Sequence, residues 1–120
     1  METGKDLNSV ENWIRKGIER DERYTPEDVL KGIASGEFQL FLYPEGLVVT
    51  QITGHNRLLV FLLSGENLEN WKHKATQDLK AYADSLGIKI LEAYCRPGLE
   101  KVLQDCGWKK EQVVLRLREK

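Results

Sequence analysis

The side chains best suited to chemistry in this chain are two histidines, two cysteines and three tryptophans. A protein-built metal centre needs several imidazole, thiolate or carboxylate ligands at motif spacing. His55 sits in a turn beside Asn56 and Arg57, and His73 lies in a solvated stretch far from it. Neither has carboxylates at ligand spacing, so surface histidines and no metal are expected. Cys95 could serve as a nucleophile only with a histidine beside it in space. No local motif brings one, and a small buried thiol is the expected reading. Cys95 and Cys106 also lack metal-ligand spacing. Trp13, Trp71 and Trp108 could line a ligand pocket, but their helical or strand-end positions read first as core anchors.

Size and charge narrow the classes further. The chain has 120 residues, enough for one domain with one core. It is 41% hydrophobic and 31% charged, an ordinary soluble balance. A net charge of −1 gives no electrostatic reason to expect nucleic acid or an anionic membrane as partner. The longest apolar run, Leu58–Leu63, is far too short to span a bilayer. No apolar segment at the N-terminus reads as a signal peptide. Cytoplasmic residence with reduced cysteines is therefore the expectation.

The elements that must position these residues follow from periodicity and punctuation. Residues 1–7 are small and polar and are expected to fray. Asn8 followed by Glu11 resembles a capping box, and Val10, Trp13, Ile14 and Ile18 then keep helical spacing to about Arg20. Gly17 costs that helix about 1 kcal/mol relative to alanine. The charge-rich Arg15–Arg23 stretch reads as a solvated face. Thr25-Pro26-Glu27-Asp28 combines a cap, a proline for the first helical position and acids for the positive helix end. Val29, Leu30 and Ile33 form the buried stripe, and Gly36 ends the helix.

Phe38, Leu40 and Leu42 alternate as a strand, Pro44-Glu45-Gly46 turns, and Leu47–Thr53 returns. Gly54-His55-Asn56 turns again. Leu58–Leu63 is apolar on both faces and is expected to be a central strand covered by helices on both sides. After Ser64-Gly65-Glu66-Asn67, a long helix carries Leu68, Trp71, Ala75, Leu79, Tyr82, Ala83 and Leu86 on one face, with Ser64 or Asn67 as its cap. Gly87 ends it. Ile88–Cys95 reads as a strand, parallel to Leu58–Leu63 through a right-handed crossover. Pro97 opens a short helix with Leu99, Val102 and Leu103 inward, and Gly107 closes it. Val113, Leu115 and Leu117 alternate with Val114, Arg116 and Arg118 as a last, half-exposed antiparallel strand. The expected class is α/β (α+β), with an antiparallel meander followed by a β-α-β crossover.

This order, with the cap Tyr24-Thr25-Pro26-Glu27-Asp28-Val29 ahead of the meander and the close Gly107-Trp108, resembles the Gcn5-related N-acetyltransferase (GNAT) fold over nearly the whole chain. Arg96-Pro97-Gly98 and Cys106-Gly107-Trp108 are also similar to small GNAT-like proteins of tailed bacteriophages. The resemblance implies a cleft where the two parallel strands splay, with acetyl-CoA as cofactor and a primary amine as acceptor. It places a cofactor loop at Leu63, Ser64, Gly65, Glu66 and Asn67. It offers Glu92 as the base that neutralises the amine and Tyr94 as the acid for the departing thiolate. An outward or edge glutamate and a core tyrosine with its hydroxyl at the rim are the competing readings.

The loop departs from the family pattern. GNAT enzymes carry Gln/Arg-x-x-Gly-x-Gly/Ala there, so that backbone amides and a helix N-terminus can hold a pyrophosphate. Here one glycine remains, with no Arg or Lys, and Glu66 and Glu69 oppose a phosphate. The short helix at Pro97–Asp105, where many GNATs place a tyrosine acid, has none. Two functions are thus in play: an acetyl-CoA-dependent N-acyltransferase, and a degenerate homologue that serves as a binding module. The second is preferred. Its partner would be a virion component or a host protein, which places the chain in the virion or the host cytoplasm.

Overall fold

The computed structural model describes residues 7–19, 24–54, 56–94 and 97–109. Helix α1 spans Leu7–Ile18 and α2 spans Pro26–Ser35. Strands β1 (Phe38–Tyr43), β2 (Gly46–Thr53) and β3 (Arg57–Gly65) form an antiparallel meander. A 3-10 turn at Leu68–Asn70 leads into α3 (Lys72–Ser85), then β4 (Ile90–Ala93) and α4 (Pro97–Gln104). The sheet order is β1-β2-β3-β4, with β4 parallel to β3. This is an α+β fold with a mixed sheet between two helical layers.

The central strand is covered on both faces, as its unbroken apolar run implied. Trp13, Ile14 and Ile18 of α1 and Val29 of α2 pack with Leu59, Phe61 and Leu62. Trp71, Ala75, Leu79 and Ala83 pack with Leu58 and Val60 on the other face. Two neighbours, Phe61 and Leu62, share one face because β3 holds a bulge. Val49 pairs with Leu62 and Thr50 with Val60, leaving Phe61 as the extra residue. The glycine in α1 has a packing reason. A methyl group at Gly17 would stand 3.1 Å from Leu62 and Ser64, so the missing side chain lets the helix settle onto β3.

The local signals for α2 act as read. Thr25 Oγ1 accepts from Asp28 N and the Asp28 carboxylate accepts from Thr25 N, both at 3.1 Å, a complete capping box. Gly36 closes the helix in the left-handed conformation.

Several expectations need correction. The α1 helix starts at Leu7, so Leu7 is helical and Asn8 lies inside the first turn, not ahead of it. The long helix does not begin at Leu68. A 3-10 turn comes first, and Trp71, with φ −137°, separates it from α3. Neither Ser64 nor Asn67 caps it. Ser64 is buried in β3, and the Asn67 amide donates to Glu45 instead. Leu86 is exposed at the end of α3, off the buried stripe.

Strand β4 is also shorter than Ile88–Cys95. Ile88 N donates to Ala83 O and Gly87 N to Asp84 O, the two bonds of a Schellman close. Ile88 therefore belongs to the cap of α3. At the other end, pairing of β4 with β3 stops at Val60 and Ala93, because the next residue of β3 is the bulged Phe61. The last strand at residues 113–118, along with His55, Cys95, Arg96 and residues 1–6, lies outside the described residues.

Candidate functional site

The cleft between the C-terminal ends of β3 and β4 is built by the Phe61 bulge. Tyr94 N still donates to Val60 O at 3.0 Å, but beyond that the two strands share no ladder among the described residues. The gap is filled from the α3 side. A cavity of about 20 Å³ remains, lined by Val60, Leu63, Leu68, Ala93, Leu103 and Trp108 among others. That volume holds roughly one water molecule. Its walls are almost wholly apolar.

Three polar contacts are made by side chains around the cavity. Trp108 Nε1 donates to Thr76 Oγ1 at 3.1 Å. Lys72, only 5% exposed, reaches from the start of α3 to Asp105 at 3.0 Å and to Glu69 at 2.7 Å. Hydrogen bonds from its ammonium to Glu69 and then Asp105 raise the Lys72 pKa. Its charge is thus held by this chain's own carboxylates. Trp108 N also donates to Leu103 O, a second Schellman close, which fixes the indole against the cavity.

The loop expected to hold a cofactor is tied to the β1–β2 turn. Glu66 N donates to Glu45 O at 2.7 Å. The Glu45 carboxylate accepts from Asn67 Nδ2 at 2.6 Å and from Asn70 Nδ2 at 3.1 Å. Trp71 Nε1 donates to Glu66 O at 2.9 Å, and the Trp71 ring stacks on Tyr43 with centroids 5.1 Å apart. Gly65 has φ +148°, and a Cβ there would lie 2.3 Å from Glu45 O. Its lack of a side chain serves close approach of this loop to the turn. These residues do not fit a pyrophosphate. The one glycine is backed by protein, the nearest amide is occupied, and a carboxylate stands at the helix entrance.

The five loop residues thus divide. Leu63 lines the cavity, Ser64 is buried, Gly65 and Glu66 join the turn through backbone, and Asn67 holds Glu45. Glu69, counted as a phosphate-repelling charge, instead pairs with Lys72.

Glu92 and Tyr94 lie apart from the cavity. Leu91 and Ala93 pack with the α3 cluster, so the intervening Glu92 points to the opposite face of the sheet. There it accepts from Arg57 Nη1 at 2.6 Å, with both side chains more than a third exposed. Tyr94 is 52% exposed. Of the tryptophans, Trp13 and Trp71 are core residues and Trp108 lines the cavity. His73 is exposed, and Cys106 is a half-buried free thiol. Among the described residues, no group of three or more His, Cys, Asp or Glu could hold a metal, and no helix is long and apolar enough to cross a membrane.

Glu45, Asn70 and Lys72 were not singled out from sequence. Glu45 was read only as part of a turn, and nothing local ties it to a residue in the next loop but one. The chain matches no protein-family model, and no curated protein matches it.

Proposed function

We propose that this chain uses a GNAT-like scaffold as a protein-binding module and does not turn over acetyl-CoA. The observation that carries this reading is the Glu45 clasp. A carboxylate held by Asn67 and Asn70 stands where a cofactor's pyrophosphate would enter, and its own backbone carbonyl takes the loop amide of Glu66. An anion arriving there would meet like charge and would have to displace three hydrogen bonds. The partner in this reading is a protein, a virion component or a host protein in keeping with the phage resemblance.

Calorimetry with acetyl-CoA tests the proposal. No heat of binding is expected up to millimolar ligand, and no rise in melting temperature, since only a ligand that binds the folded state stabilises it. A dissociation constant in the low micromolar range would overturn it.

A second reading has one observation in its favour. The Phe61 bulge ends β3–β4 pairing at Val60 and Ala93 and so opens a wedge between parallel strands. On that ground the chain would be an N-acyltransferase acting on a primary amine. Thiol release from acetyl-CoA in the presence of amines would favour this reading over the first.

A further inference from the structure

Strand β1 stands at one edge of the sheet, and its sequence Phe38-Gln39-Leu40-Phe41-Leu42-Tyr43 contains no charge and no proline. Edge strands normally carry Lys, Pro, a bulge or a covering element to block further pairing. Among the described residues the opposite edge is β4, which has such protection. It is four residues long and bears Glu92, paired with Arg57, with Lys89 just ahead of it. Strand β1 pairs with β2 in an unbroken register from Phe38↔Gln51 to Tyr43↔Gly46. Among the described residues, no strand pairs with its outer side.

The hairpin geometry says which backbone groups face outward. Tyr43 and Gly46 flank a two-residue turn and so form a hydrogen-bonded pair. By alternation Gln39, Phe41 and Tyr43 bond to β2, while Phe38, Leu40 and Leu42 aim their N–H and C=O groups outward. Leu42 also leaves a large apolar side chain 46% exposed at this edge.

We propose that two copies of this chain associate by antiparallel pairing of β1 with β1, extending the sheet across a two-fold axis. Outward-facing residues must meet outward-facing residues. The register that satisfies this over the strand sets Leu40 opposite the second copy's Leu40 and Leu42 opposite the second copy's Phe38. Self-pairing suits this strand because it sets no charge against a like charge. A two-fold arrangement also satisfies both edges at once. The interface is small, so association is in the micromolar range. It does not depend on the binding-module reading.

Sedimentation equilibrium from about 5 to about 500 µM protein tests this. A monomer–dimer equilibrium is expected, and a monomer across the whole range would overturn the proposal. Leu42→Lys places a charge on the exposed edge position and should weaken association at least about tenfold. Leu40→Pro removes an outward N–H while sparing the β1–β2 ladder and should do the same. Dimerisation undiminished in both folded variants would place the interface elsewhere. Hydrogen exchange gives a readout without substitution. The Phe38, Leu40 and Leu42 amides should gain protection as concentration rises, and concentration-independent exchange at all three would contradict the pairing.

Discussion

The Tyr43 hydroxyl donates to the Asp78 carboxylate at 2.7 Å, joining the last residue of β1 to the middle of α3. Tyr43 is buried and stacked on Trp71, so the bond lies at the margin of the α3-side core. Burial first, then the hydrogen bond to Asp78 and its negative charge, raise the tyrosine pKa far above its ordinary 10.0. Ionisation would put an anion beside a carboxylate in an apolar setting.

The sign of the resulting pH dependence is fixed. The folded state keeps the phenol proton at pH values where the unfolded chain releases it, so this group's stabilisation is complete below pH 10.0 and declines as pH rises above it. Tyr43→Phe should cost about 1 kcal/mol at neutral pH through the lost bond. The melting-temperature gap between wild type and variant should narrow from about pH 8 to about pH 11. A gap that stays constant would mean that Tyr43 does not titrate differently on unfolding.

Val60 lies between β4 and the α3 cluster on the central strand and is buried. Val60→Asp should unfold the protein. An unpaired carboxylate in that position costs several kcal/mol, comparable with the roughly 5–15 kcal/mol total stability of a domain. Loss of the cooperative transition in circular dichroism is the expected result. A soluble variant that melts cooperatively would contradict the burial of this strand.

Gly65→Ala should destabilise by about 1–3 kcal/mol, because it combines a φ of +148° with a Cβ placed 2.3 Å from Glu45 O. Gly54→Ala is the control. Among the described residues nothing lies within 4 Å of its Cβ position, and its φ is not in the restricted range, so a change within about 0.5 kcal/mol is expected. Urea unfolding of the two variants side by side would settle the contrast.

Thr25→Ala removes one half of the capping box and should cost about 1 kcal/mol. Thr25→Ser should restore most of it, since the serine hydroxyl can accept from Asp28 N in the same way. Equal losses in both variants would assign the effect to the threonine methyl group instead.

Much of the local structure was legible along the chain because its causes are local. Thr25-Pro26-Glu27-Asp28 starts a helix through groups three residues apart, and Gly36, Gly87 and Gly107 end helices through bonds within one turn. The apolar run at Leu58–Leu63 also announced a strand buried on both faces, since a polar residue on either side would have broken it. The 3-10 start at Leu68–Asn70 was not legible, because helical spacing of Leu68, Trp71 and Ala75 is shared by a 3-10 turn leading into an α-helix.

The candidate site was decided by tertiary structure. Whether Gly65 serves a ligand or a neighbouring turn depends on what lies against it, and that is Glu45, twenty residues earlier by sequence count. The face to which Glu92 points depends on its register against Leu59, not on its own neighbours. The bulge at Phe61 arises from pairing with β2 and leaves no mark in the run Leu58-Leu59-Val60-Phe61-Leu62-Leu63, where every residue is apolar. Periodicity and capping are properties of a segment and can be read from it. Register, close approach and the partner of a carboxylate are properties of two segments, and only the folded chain brings those together.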